Sequence, residues 1–206
     1  MKKQGKIAVK KTEDNYTRIY QFKITLKNTK SPVWRRIQVP ETFTFWDLHC
    51  AITDSMGWLD YHLHQFEVYD PDCGEKIFIG IPGDDEDTIL DWNRQITQYF
   101  SLDGSAIPYT YDMGDNWEHS VKLEKILPRE KGVKYPRCIE GEMACPPEDC
   151  GGVWGYQDML QIISNNKHKE YKETMQWLGG SFNPEKFDMA RIKFEDPSRR
   201  MKKLVR

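Results

Sequence analysis

No stretch of this chain comes near the ~20 consecutive apolar residues needed to cross a bilayer, and the lysine-rich first residues have no apolar run behind them. A membrane or secreted destination is therefore not expected, and a cytoplasmic one is. Net charge is lacking as well. Lys and Arg total 30 against 32 Asp and Glu, a balance of −2, which gives no general attraction to a polyanion. Cysteine is scarce at 5 residues. That odd count, in a chain long enough to build its own core, points to reduced thiols. No two cysteines form the close C-x-x-C type of knuckle usual in zinc sites. Repeats and low-complexity segments are also missing. Aromatics are plentiful, with 7 Trp, 10 Tyr and 9 Phe in 206 residues. They exclude a disordered chain and supply a large buried area per residue.

The charges are unevenly placed. Lys2, Lys3, Lys6, Lys10 and Lys11 make the start basic, and Arg199, Arg200, Lys202, Lys203 and Arg206 do the same at the end. Asp84, Asp85, Glu86, Asp87 and Asp91 form an acidic patch between them. These read as solvated tails over 1–18 and 196–206 flanking a single α+β domain over 19–195.

Within that domain the hydrophobic period assigns the elements. Tyr20, Phe22, Ile24 and Leu26 alternate with polar residues, as do Val33, Ile37 and Val39 after a turn, predicting a hairpin. Thr44 with Asp47 three residues later resembles a capping box. Phe45, Leu48, Ile52 and Met56 follow at helical spacing and stop at Gly57. His64, Phe66 and Val68 predict a third strand, and 76–81 a fourth. The order strand, strand, helix, strand, strand suggests a β-grasp-like mixed or antiparallel sheet. A second hairpin over 107–127 extends it, and a short helix around Ile89, Trp92 and Ile96 precedes that hairpin. Residues 128–155 are rich in Pro, Gly, Cys and acid without periodicity, a length of loop that is usually functional. Helices are expected over 156–164, over 169–178 and near Pro184. The indoles of Trp34, Trp46, Trp58, Trp92, Trp154 and Trp177 are assigned mostly to core and loop packing.

Three groups of residues could carry chemistry. His62 and His64 stand two apart on the third strand, which puts both imidazoles on one face. The turn Tyr111-Asp112-Met113-Gly114-Asp115-Asn116-Trp117-Glu118-His119 needs its Gly and one Asp for geometry, but not its Trp and His. The stretch Ala144-Cys145-Pro146-Pro147-Glu148-Asp149-Cys150-Gly151-Gly152 combines a stiff acidic segment with glycines that permit close backbone approach. Cys138, Cys145 and Cys150 with His119 would complete a tetrahedral set for zinc or another divalent metal.

These motifs, with Val33-Trp34-Arg35-Arg36-Ile37 before them, occur in the order found in the plasmid ORF-three-like family, also labelled an insertion-element passenger TnpR-like family. The resemblance spans about 20–194. It implies functional positions at His64, Asp112, Asp115, Trp117, His119, Cys138, Cys145, Glu148, Asp149, Gly152 and Tyr156, and it implies no substrate. Met113 stands where Phe is expected, and Cys150 where the residue varies. No serine-recombinase motif or helix-turn-helix signature supports a resolvase role.

The leading reading is a binding module for a small molecule or peptide, its polar pocket formed by the 111–119 turn and the 144–152 loop with His64 at the wall. The second is a metal-dependent hydrolase, with nucleic acid as a candidate substrate, using Asp112, Asp115, His119, Glu148 and Asp149. A cysteine-centred activity, with Cys145 or Cys138 and His119, is the third. A mobile-element accessory protein holding nucleic acid through its basic termini is the fourth.

Overall fold

A computed structural model describes residues 15–81 and 88–204. Eight strands form one sheet: β1 (Arg18–Leu26), β2 (Trp34–Pro40), β3 (His64–Tyr69), β4 (Lys76–Gly80), β5 (Thr88–Leu90), β6 (Ala106–Tyr111), β7 (Trp117–Pro128) and β8 (Arg137–Glu142). Their order across the sheet is β5-β4-β3-β6-β7-β1-β2-β8. All neighbours are antiparallel except β4 and β5. Both expected hairpins are present, β1 with β2 and β6 with β7. The second hairpin lies inside the sheet, between β3 and β1, so the first hairpin does not touch the β3–β4 pair as a simple β-grasp order would have it.

Alternation decides which face is covered. Phe22, Ile24 and Leu26 of β1 meet Val121 and Leu123 of β7 and Ile37 of β2 on one side, all buried. Phe66 lies between Ile79 and Tyr109 in the same layer. Fully burying side chains of this size contributes about 1.5–3 kcal/mol each before entropy is counted. Helix α1 (Phe45–Met56) seals this face. Its capping box is formed: the Thr44 hydroxyl accepts from the Asp47 N–H, and the Asp47 carboxylate accepts from the Thr44 N–H at 2.9 Å. Gly57 ends the helix in the left-handed region, at φ 89°.

The long loop is less irregular than its sequence suggests. Residues Arg137–Glu142 add the edge strand β8 to β2. Arg35 anchors this edge from within. It is 2% exposed and donates to the Ser55, Trp34 and Glu142 carbonyls, with its guanidinium 4.1 Å from the Phe187 ring.

The C-terminal part supplies α2 (Gly152–Ser164), α3 (Tyr171–Trp177) and α4 (Pro197–Leu204). The helix expected near Pro184 is instead turn, followed by a single 3-10 turn at Met189–Arg191. The 196–206 stretch is not a free basic tail throughout. Helix α4 rests on α1, with Met201 packed on Trp46 and Cys50, and Pro197 accepting the Trp46 indole N–H. Arg200 is committed to Asp54 at 2.5 Å and Asp60 at 3.2 Å, so it is not available to a polyanion. The tail residues 1–14 and the acidic Asp84, Asp85, Glu86 and Asp87 lie outside the described residues. Asp91, the last member of that patch, is fully buried.

Candidate functional site

The β6–β7 turn and the Pro-Pro loop meet. Asp112 starts the turn with φ 58°, its carboxylate accepting from the Gly114 and Asp115 N–H groups. That geometry frees Asp115 to accept the Gly151 N–H at 3.2 Å. Gly152 then packs directly on the Asp115 backbone at φ 66°, where a Cβ would strike the Asp115 carbonyl oxygen. Only glycine combines that backbone angle with that approach. The loop is tied down a second time by Glu148, which accepts the Tyr111 hydroxyl at 2.5 Å and the Leu59 N–H at 2.8 Å. The same hydroxyl accepts the Tyr61 N–H. Burial and the bond to Glu148 both push the Tyr111 hydroxyl well above its ordinary range. A third tie joins the Trp58 indole N–H to the Pro146 carbonyl.

One histidine does stand at the wall of this junction, and it is His62. It occupies a bend before β3, with Nδ1 3.5 Å from Asp112 and Nε2 3.2 Å from Asp149. Ligand atoms of His62, Asp112 and Asp149 all lie within 4.8 Å of one another, the one such set of three or more among the described residues. Both imidazole nitrogens already face carboxylates, so a cation here would displace one of these contacts.

His64, expected on the same face as His62, turns inward instead. It is fully buried, 2.8 Å from Asp91, and stacks on His49 of α1 with ring centroids 3.4 Å apart. His49 in turn contacts the Tyr109 hydroxyl and Asp60. Burial and the adjacent His64 bring His49 down to about 4, so it is neutral at pH 7. It therefore donates from Nε2 to Asp60 and accepts the Tyr109 hydroxyl at Nδ1. The sequence reading gave no role to His49, Asp60 or Tyr109, and it read Asp91 and Arg200 only as members of solvated charge patches.

The remaining expected residues separate. Trp117 and His119 are both fully buried on the core-facing side of β7, against Trp58. The His119 nitrogens and the Trp117 indole N–H reach no full hydrogen-bond partner among the described residues, and burial drives His119 down to about 3. Cys138, Cys145 and Cys150 do not join His119 in a ligand set. Cys138 and Cys145 lie near the Arg35 guanidinium, and Cys145 and Cys150 near the buried Tyr156. Burial raises all three thiols, Cys138 to about 11 and Cys150 to about 12. Such thiols are protonated at neutral pH and are poor nucleophiles.

The segments that meet here also carry exposed apolar side chains. Leu59, Tyr61 and Leu63 flank His62, Met113 caps the turn, and Trp154 projects from the first turn of α2 at 80% exposure. These are five of the nine large apolar side chains exposed among the described residues. Trp154, expected to pack inside, is the most exposed of all. The run Trp58-Leu59-Asp60-Tyr61-His62-Leu63, apolar yet without period two or period 3.6, is the sequence signal that marks this segment.

Comparison with known proteins places these features in a family. A family model described as plasmid pRiA4b ORF-3-like protein matches residues 18–191. An uncharacterised protein of Sinorhizobium fredii is 33% identical over 166 residues, covering 79% of this chain and 82% of that protein. The crystal structure of a protein of unknown function from Methanosarcina mazei Go1 superposes with a TM-score of 0.82 at 46% identity, covering 87% of this chain and 99% of that one. With a match that runs from the first strand to the segment before α4, this chain belongs to the plasmid pRiA4b ORF-3-like family.

Proposed function

We propose that this protein is a non-catalytic binding module whose recognition surface is the junction of the β6–β7 turn, the Pro-Pro loop and the 57–63 segment. The observation that carries this reading is that five exposed apolar side chains, Leu59, Tyr61, Leu63, Met113 and Trp154, stand on the three segments that hydrogen bonds tie together here. Contiguous exposed apolar side chains rimmed by polar groups mark interaction sites. Cross-linked segments keep such a surface preorganised, which reduces the ordering cost of binding. Burial outweighs the nearby Arg35 guanidinium and keeps the Cys138 and Cys145 thiols protonated, and His119 has no access to solvent, so neither supplies a nucleophile–base pair. The test is amide chemical-shift mapping against a library of small fragments. Shifts concentrated at 59–63, 112–115 and 148–154 support the reading. Shifts concentrated on the open outer face of the sheet, around Lys23, Ser120 and Lys122, overturn it.

A second reading rests on His62, Asp112 and Asp149, whose ligand atoms could take a divalent cation such as zinc or manganese. Titration of each metal while following the His62 ring signals decides it. Saturable binding lost in Asp149→Asn supports a cation at this position, and unchanged ring signals refute it.

A further inference from the structure

The junction also has a sign. Residues 57–63, 111–117 and 146–158 include Asp60, Asp112, Asp115, Glu148, Asp149 and Asp158, and no Lys or Arg. Asp60 is neutralised by Arg200 in the core. Of the others, Asp112 and Asp149 have the His62 imidazole beside them, while Asp115 and Glu148 are held by neutral donors. Asp158 is exposed one helical turn beyond Trp154, on the same side of α2. In a chain whose charges nearly cancel overall, this concentration on segments that carry exposed indole, phenol and aliphatic groups selects among partners.

Resting on the binding-module reading, we infer that the occupant of this surface is a cationic polypeptide segment, one in which lysine or arginine alternates with large apolar side chains. Its apolar groups would cover Leu59, Tyr61, Met113 and Trp154, and its ammonium or guanidinium groups would face Glu148, Asp149 and Asp158. Trp154 offers its face to a cation as well as its edge to an apolar chain. Complementary charge of this kind speeds encounter and rejects partners of the wrong sign. A polyanion is disfavoured at this surface on the same ground, which sets it apart from the basic ends of the chain.

The experiment is fluorescence titration of the full-length protein with three synthetic peptides of equal length, in which leucine alternates with lysine, glutamate or serine. The lysine peptide should bind at least about tenfold more tightly than the other two, with affinity falling as ionic strength rises. Trp154→Ala and Asp149→Asn should each weaken it about threefold or more; both sites are exposed, and Asn tolerates the positive φ of 59° at position 149. Equal or tighter binding of the glutamate peptide overturns the inference, as does binding of the lysine peptide that neither substitution changes. A concentration-dependent dimer abolished by Trp154→Ala overturns it in favour of a second copy as occupant. Should no peptide bind while fragments still map to 59–63 and 148–154, the cationic partner falls and the binding surface stands.

Discussion

His49 and His64 stack face to face in the core, ring centroids 3.4 Å apart and planes 6° from parallel, with a separate aspartate on each. Two imidazoles this close cannot both carry a proton cheaply, because their charges would face each other in a medium that screens them little. The arrangement fixes α1 against β3 through polar groups, where the rest of the interface is apolar.

Stability should therefore fall on acidification well before the carboxylates titrate. Burial holds His49 near 4 and His119 near 3, both below their ordinary 6.5. As pH drops below 6.5 the unfolded chain takes up protons at both positions that the folded chain refuses. The loss runs from 6.5 to about 4 for His49 and to about 3 for His119. At pH 4.5 it should reach roughly 2–3 kcal/mol per histidine. Asp60 adds to it only below its ordinary 3.8, since the charge of His49 holds it near 2 despite burial. Urea midpoints at pH 7 and pH 4.5 measure the total, and His119→Gln should remove about half. Coincident midpoints would refute this account.

Arg200→Gln should cost about 3 kcal/mol, because it leaves Asp54 and Asp60 buried without their cation. Hydrogen exchange should speed up first in α4 and then at Asp60. A loss below about 0.5 kcal/mol would mean that α4 is held by Met201 and Trp46 alone.

Gly152→Ala should destabilise by about 2 kcal/mol or more, through its positive φ and the collision with the Asp115 carbonyl. The matching change at Gly132 (φ 81°) meets nothing, so it reports the cost of the angle alone. Thermal unfolding of the two variants separates the terms. Equal costs would show that the contact with Asp115 yields without resistance.

Tyr111→Phe and Glu148→Gln remove opposite ends of one hydrogen bond. A double-mutant cycle should give a coupling of about 1–2 kcal/mol, since a charged acceptor strengthens the bond. Additive losses would show that the loop is held by Leu59 and Trp58 instead.

The sequence disclosed elements whose cause is local. The two hairpins follow from alternation, and α1 from Thr44, Asp47 and the Phe45–Met56 stripe. The meeting of turn and loop was legible because Gly151 and Gly152 signalled close backbone approach, which Asp115 supplies. The His-x-His pair misled, since period two holds only within a strand and β3 begins at His64. There Asp112 takes the Leu63 carbonyl and lets His62 swing outward. The histidine stack was out of reach of pattern reading. Its members come from α1, β3, β6 and α4, and no local rule links position 49 to position 200. Strand β8 was hidden because its pairing to β2 depends on Arg35, a buried cation in a strand that reads as alternating.

The exposure of Trp154 gives the molecule its own optical reporter. Trp46, Trp58 and Trp117 are sealed in the core and should emit at the blue end of the indole range, whereas Trp154 and the more than half-exposed Trp177 face water and should emit at the red end, so Trp177→Phe isolates the Trp154 signal. Because Asp158 stands one helical turn away and 146–158 holds no Lys or Arg, cesium should quench the Trp154 component more strongly than iodide. Anything that settles on the junction should remove the difference, so occupancy can be followed without attaching a label.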